Sequence, residues 1–211
     1  MLTADKLMRL LPQLVAQEKV LREVYEQYGP PPRWHYEPGF GALIQIILGQ
    51  QVSVASAAAA YRRLEEQVEE VTPERILALS DEELRAAYFS RQKMCYARHL
   101  AKAIMDKKLV PERLDELPDE QIRTELTRIK GIGPWTADIY LLLALQRPDI
   151  YPPGDLAAKK VLQELGVVSL KASREELLAY ADRFRPYRSA LTLLLWHKYI
   201  EDRGIRFLKK D

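Results

Sequence analysis

The chain has 211 residues, with 32 Lys and Arg against 30 Asp and Glu, a single Cys and 47% hydrophobic residues. That length supports about one to one and a half typical domains with a sizeable core, and a charged content of 29% argues against wholesale disorder. Cys95 alone excludes an intrachain disulfide and any four-Cys zinc or iron–sulfur site, and His35, His99 and His197 show no metal-ligand spacing. Met1 to Leu11 has no long apolar leader and no apolar run reaches 18 residues, so a soluble intracellular protein with no membrane association is expected.

Taken in chain order, the first break is the Pro-rich stretch 30–38, PPPRWHYEP, a linker candidate whose Trp34 and Tyr36 suggest packing. Phe40 to Tyr61 then reads as a helix with an apolar face at Leu43, Ile46 and Ile47, broken at Gly49-Gln50-Gln51 and restarted at Ser53. Its run Ala57 to Ala60 is expected to be a close-packed helix face. Charge is then segregated: Glu65 to Glu83 holds eight acidic residues and one basic, while Arg85 to Lys108 holds seven basic and one acidic. A local basic face for a polyanion is compatible with that pattern, and so is a solvated helix surface.

Helix starts are marked at Thr72-Pro73 and at two capping boxes, Ser80-Asp81-Glu82-Glu83 and Ser173-Arg174-Glu175-Glu176. Stops follow at Gly29, Pro111, Pro118, Gly131, Gly166 and Gly204. Later apolar faces comprise Leu177, Leu178 and Phe184, then Leu191, Leu194 and Leu195. The whole predicts an all-α fold of about nine to eleven helices, most of about eight to sixteen residues, joined by short turns.

Three segments carry chemistry. In Leu126 to Tyr140, LTRIKGIGPWTADIY, a helix ending at Lys130 is followed by the turn Gly131-Ile132-Gly133 and a second helix opened by Pro134. Glycines there allow positive φ and uncovered amides, Ile132 plugs the core, and the new helix start attracts an anion such as a phosphate. In Asp149 to Leu162, DIYPPGDLAAKKVL, Asp155 follows a Pro-Pro-Gly turn and occupies an N-cap position. The third segment is the Gly49-Gln50-Gln51 break itself.

The hairpin, the proline-rich loop and the aspartate, in that order, resemble the helix–hairpin–helix (HhH-GPD) DNA glycosylase superfamily. The Gly-Gln-Gln loop with Ser53, and the final segment Phe184 to His197, resemble its AlkA/Mag-type alkylpurine branch. The resemblance runs from about Phe40 to His197. It implies a two-lobed helical fold with the active-site cleft between the lobes and no N-terminal β-domain. One lobe would be 1–40 plus 142–211; the other would be 41–141, closing on the hairpin at about 122–141.

The resemblance further implies a glycosylase that flips out alkylated purines of the 3-methyladenine or 7-methylguanine type from duplex DNA and hydrolyses them in base excision repair. Asp155 would be catalytic. Gln51 would fill the gap left by the extruded nucleotide, beside Gln50. Lys130, Gly131, Ile132, Gly133 and Thr136 of the hairpin, with Ser53, would bind DNA. Trp135, Trp196, Tyr140 and Tyr187 are the aromatic candidates for a base pocket, although the family's own Tyr aligns with Ile139, about 100° around a helix from Tyr140. Trp135 stands where bifunctional relatives carry their lyase Lys, so a monofunctional hydrolase is expected.

Arg188 could pair with Asp155 or with a helix end, Arg91 and Lys93 could meet phosphates or solvent, and Cys95 reads as a core residue. No cofactor is expected beyond a monovalent cation on the hairpin carbonyls, and the protein would act as a monomer with the cell's DNA. Two readings stay open: a glycosylase of the same fold for a neutral lesion such as 8-oxoguanine or uracil, and a non-catalytic hairpin protein that binds DNA.

Overall fold

The computed structural model describes residues 1–205, so the expected lobe's last residues, 206–211, lie outside the described part. Among the described residues there are twelve α-helices, one short 3-10 helix at Pro111–Glu116, one π-helical turn at Tyr140–Ala144, and no strand. The count exceeds the expected nine to eleven because two six-residue helices, Pro73–Ala78 and Asp81–Ala86, each carry their own cap within one short stretch. No helix among the described residues is long and apolar enough to cross a membrane.

The chain divides into two compact units. One comprises residues 1–35 and 141–205; the other is the continuous stretch Tyr36–Tyr140. The continuous unit is organised on α3 (Phe40–Gly49), whose Phe40, Ala42, Leu43, Ile44, Ile46, Ile47 and Leu48 are all buried. A helix apolar on every side must be covered all round. Here α4 (Val54–Val68), α7 (Arg91–Met105) and α9 (Pro134–Ile139) do so, while α5 (Pro73–Ala78) packs on α7 and α8 (Asp119–Thr127) on α9. The run Ala57 to Ala60 is mostly not core: only Ala60 is buried, because α4 meets α3 along a narrow stripe. The short α6 (Asp81–Ala86) is fixed by the reciprocal Ser80 and Glu83 capping bonds.

In the other unit the central element is α12 (Arg188–Asp202), which buries nine side chains from Ser189 to Ile200. It is packed by α1 (Ala4–Val15), α2 (Lys19–Tyr28), α10 (Leu156–Glu164) and α11 (Arg174–Asp182). Each fully buried Leu of α12 contributes about 1.5–3 kcal/mol by leaving water. The Ser173 capping box opens α11, and Gly29 at φ +75° ends α2.

Candidate active site

Within the continuous unit, α8 ends at Thr127, three residues before the expected end at Lys130, and residues 128–133 form the turn into α9. The turn closes early because the Ile132 amide donates to the Ile129 carbonyl at 3.0 Å, which draws Ile132 into the core at 3% exposure. Gly131 has φ +97°, and a Cβ placed there would lie 2.1 Å from Tyr96 Cγ, so both the backbone angle and the close approach require glycine. Gly133 is different from expectation: its φ is −94°, an ordinary angle, and its missing side chain only leaves the start of α9 uncovered.

Two side chains brace this turn. Gln50 Nε2 donates to the Gly131 carbonyl at 2.9 Å and to Thr136 Oγ1 at 3.0 Å. Gln50 is therefore tied to the hairpin, and Thr136, at 2% exposure, is an interior acceptor with no surface to offer DNA. That corrects the expectation for Thr136. The second brace is half-buried: Arg123 of α8 donates through Nε to the buried Asp138 of α9 at 2.7 Å and pairs also with the exposed Glu120 at 2.6 Å. Desolvation would lower the Arg123 pKa, but the hydrogen bond and charge of Asp138, together with the charges of Glu120 and Asp119, outweigh it and leave the net shift upward.

What remains exposed is Lys130 and Gln51, the latter at φ +56° on the loop before α4. Ser53 is the N-cap of α4, its Oγ accepting from the Ser56 amide at 3.1 Å. An open groove of about 650 Å³ runs past Gln51, Gln92, Tyr96, Arg128, Lys130 and Gly133. Lys93 does not reach into it as a free cation: its Nζ donates to the Leu48 carbonyl at 2.6 Å and closes the end of α3, and burial lowers its pKa. Arg91 is exposed, and Cys95 is half-buried beside His99.

A groove walled by amides, amide side chains and cations suits a polyanionic backbone: its donors fix position without reading sequence. Two of the hairpin carbonyls, those of Ile129 and Gly131, already accept hydrogen bonds, so a cation there would compete with those donors. Among the described residues no three His, Cys, Asp or Glu side chains cluster as metal ligands.

In the unit formed by both ends of the chain, Asp155 caps α10, with Oδ1 accepting from the Ala158 amide at 2.8 Å. The same oxygen accepts from Trp196 Nε1 of α12 at 3.0 Å. At 7% exposure the carboxyl is held by two donors from two elements, an arrangement that fixes where its charge sits. The loop before it places Tyr151, at 4% exposure, close by: burial first, then the Asp155 charge, then Tyr180, push the Tyr151 phenol above its ordinary pKa. Tyr180 is buried too, and its hydroxyl has no hydrogen-bond partner among the described residues.

Arg188 does not pair with Asp155. It is locked on Asp149, through Nε at 2.8 Å, and on Asp182 at 2.8 Å, so it anchors the start of α12.

The aromatic candidates separate. Trp196 is half-buried against Asp155, and Trp135 is half-buried on the first turn of α9. Tyr187 is half-buried at the N-cap of α12 with the Lys6 ammonium 5.9 Å above its ring. Tyr140 is a correction: it is 0% exposed, its hydroxyl accepts from the Gly39 amide at 3.1 Å, and burial pushes its pKa up to about 12. It is a core residue with no face open to a base.

Gln146, Tyr96 and Asp138 support these side chains without having been singled out from the sequence, and Trp34, expected there only to pack, does pack. Trp34 packs edge-on to Trp196, with ring centroids 6.2 Å apart. Gln146 ties the segment that carries Trp34, Tyr96 backs Gly131, and Asp138 pairs with Arg123. Of the three not singled out, Asp138 left a signal: one acid inside the apolar run from Ile132 to Leu145 has to be paired.

An all-α chain with a two-glycine helical hairpin and a capped, buried carboxylate defines a class of nucleic-acid-directed proteins. Residues 44–186 match the profile of the HhH-GPD superfamily base excision DNA repair proteins, and the chain belongs to that family. It is 28% identical over 183 residues to DNA-3-methyladenine glycosylase 1 of Schizosaccharomyces pombe, covering 84% of this chain and 80% of that protein. A Bacillus subtilis protein provisionally named DNA-3-methyladenine glycosylase YfjP is 27% identical over 184 residues, 83% of this chain but only 64% of that longer protein. The crystal structure of a DNA-3-methyladenine glycosidase from Bacillus halodurans superposes with a TM-score of 0.71 at 29% identity, covering 91% of this chain and 89% of that one.

Proposed function

We propose that the protein is a monofunctional DNA glycosylase that extrudes alkylated purines of the 3-methyladenine and 7-methylguanine type from duplex DNA and hydrolyses their glycosidic bond. The observation that carries the reading is Asp155: a buried carboxyl whose Oδ1 is gripped by the Ala158 amide and by Trp196 Nε1, in a chain of a base excision family. The names of the relatives favour alkylated purines over a neutral lesion.

A base inside a duplex cannot be reached, so the nucleotide is rotated out at a cost of about a few kcal/mol, less where the base is damaged. Gln51, which is exposed on its loop, fills the vacated stack in this reading and offsets part of that cost. The hairpin around Gly131 and Gly133 holds a backbone phosphate on its amides, with Lys130 adding charge.

In the chemical step the C1′–N bond breaks and its electron pair leaves with the base. A purine alkylated at N3 or N7 is cationic, so those electrons neutralise it and no general acid is needed. The sugar is left with oxocarbenium character, which the fixed charge of Asp155 stabilises. Water then forms the new C1′–O bond, and its proton passes to the carboxylate or to solvent. Trp135, at the position of the lyase Lys, offers no amine for a Schiff base, so the strand stays uncut.

The test is release of free bases from methylated duplex DNA, read by mass spectrometry, for the wild type and Asp155→Asn. Asn keeps an oxygen to accept from Ala158 and Trp196, so the fold is retained while the charge is lost. A unit charge about 4 Å from the developing cation contributes about 4 kcal/mol at an effective dielectric of about 20, so the rate falls about a thousand-fold. Equal release by both proteins removes Asp155 from the mechanism; no release by the wild type, with DNA bound, removes the enzyme.

A further inference from the structure

Helix α12 carries two side chains that its apolar surroundings do not call for. Ser189 and Thr192 are both 0% exposed, on a helix whose inner residues nearby are Ala190, Leu191, Leu193, Leu194 and Leu195. A buried hydroxyl destabilises unless it is bonded, and both of these are bonded to one neighbouring segment. Ser189 Oγ donates to the Arg147 carbonyl at 2.6 Å and accepts from the Ile150 amide at 2.9 Å. Thr192 Oγ1 donates to the Ile150 carbonyl at 3.1 Å and shares its hydrogen with the Arg188 carbonyl one turn back, also at 3.1 Å. The Ser189 amide donates to the Pro148 carbonyl, and Arg188 holds Asp149. Ile150 is thus fixed through both its N–H and its C=O by side chains of α12.

What Ile150 leads into is the loop that ends at Asp155. Pro152 and Pro153 have φ fixed by their rings, Tyr151 is buried, and the Asp155 amide donates back to the Pro152 carbonyl at 2.9 Å. A segment so short and stiff passes a shift at Ile150 on to Asp155 rather than absorbing it. At its far end the carboxyl meets α12 again, through Trp196 Nε1 at 3.0 Å. Arg188, Thr192 and Trp196 follow one another at four-residue spacing, so they share a face over about 12 Å of helix. The helix holds the loop at its start and at its end, and so sets where the Asp155 charge stands.

We infer that Ser189 and Thr192 are positioning residues for base release: through the peptide groups of Ile150 they place the Asp155 carboxylate against the sugar as its positive charge develops. The inference rests on the glycosylase reading above and adds what keeps that reading's carboxylate in register. Stabilisation by a fixed charge depends on its aim, and a displacement of about 1 Å lowers a rate by about a hundred-fold. Both hydroxyls act through the loop, so their loss shows in the rate of the bound complex and leaves DNA affinity alone.

The experiment measures single-turnover release of 7-methylguanine from methylated duplex at saturating protein, with the affinity for an undamaged duplex and the melting temperature of each variant. Thr192→Val keeps the side-chain shape and loses the hydroxyl, Thr192→Ser keeps the hydroxyl, and Ser189→Ala removes both Ser189 side-chain bonds. Each is assayed alone and combined with Asp155→Asn, well below the lowest melting temperature of the set. Thr192→Val and Ser189→Ala lower the rate by about 10- to 100-fold and change duplex affinity by less than about 2-fold, and Thr192→Ser recovers most of the rate. In the Asp155→Asn background the same substitutions change the residual rate by less than about 2-fold, because no charge is left to displace. A loss by the same factor in both backgrounds, or a lower melting temperature with an unchanged rate, makes the two hydroxyls structural and overturns the inference. If Ser189→Ala does not fold, the two Thr192 variants decide. Absence of release by the wild type defeats the glycosylase reading, and equal release by the wild type and Asp155→Asn defeats the role of Asp155, both before any hydroxyl variant is compared.

Discussion

Gly131→Ala tests the hairpin at the point where its geometry is most demanding. The added methyl group would stand 2.1 Å from Tyr96 Cγ, 2.4 Å from Cδ1 and 2.6 Å from Cβ, atoms close to the backbone of α7 that cannot swing aside. Holding alanine at φ +97° costs about 1–2 kcal/mol, and overpacking of this kind adds about 1–3 kcal/mol. The sum, about 2–5 kcal/mol, lowers the melting temperature of a protein this size by about 4–20 °C, read by calorimetry. Gly133→Ala is the internal contrast: its Cβ meets nothing within 4 Å and its backbone angle is ordinary, so stability changes by less than about 0.5 kcal/mol. Both variants weaken binding to an undamaged duplex, and the slope of log affinity against log salt falls by about 0.9 for each phosphate the hairpin no longer neutralises. Tyr96→Ala in the Gly131→Ala background removes Cγ and Cδ1 and so recovers part of the packing loss but none of the backbone strain. A Gly131→Ala protein that melts within about 2 °C of the wild type, with an unchanged salt slope, would refute the reasoning.

Three further outcomes are expected. Gln50→Ala strands the Gly131 carbonyl and Thr136 hydroxyl, a loss of about 1–2 kcal/mol that appears as about 5- to 30-fold weaker DNA binding by anisotropy, with release of bound substrate less affected. Asp138→Ala leaves Arg123 in a half-buried site with the charges of Glu120 and Asp119; breaking a buried pair costs about 3–5 kcal/mol, and the surviving acids reduce this to about 2–3 kcal/mol, seen as a lower denaturation midpoint. Acid acts on the start of α6: the Arg98 hydrogen bond holds Asp81 below the usual carboxyl range, and the Ser80 amide does the same for Glu83. A carboxyl depressed in the fold stabilises above its unfolded value, so this contribution is complete at neutral pH and is lost as pH falls below about 4. The melting temperature of Arg98→Gln should therefore fall less steeply with acid than that of the wild type.

The all-α architecture was open to sequence reading because local signals agreed. Thr72, Ser80 and Ser173 cap the helices they were expected to cap, and Asp155 sits at the start of its helix because aspartate there satisfies an orphan amide whatever else it does. The family could be read for the same reason: a glycine hairpin and an aspartate cap are local patterns. Side-chain partners over long range could not. Gln50 looked like a residue reaching toward a ligand and is bonded to a carbonyl 81 positions away. Tyr140 carried the right chemistry one residue late, and the π-helical turn beginning at Tyr140 changes the register that a 3.6-residue period assumes. Trp34 lies in a stretch with no periodicity at all, so nothing in its neighbourhood foretold that Gln146, 112 residues on, would hold it.

The division of the chain also sets an order of assembly. The helices that cover α3 all belong to one continuous stretch, Tyr36–Tyr140, so that unit can close on its own core once Tyr140 has been made. The unit bearing Asp155 is split: α1 and α2 must wait for α12 across an interval of roughly a hundred residues, and closing so long a loop is paid for before any of its packing returns. On a ribosome the hairpin therefore matures first and the carboxylate last. A nascent chain passes through a stage that has its glycine hairpin in place while the cap on α10 is still unmade.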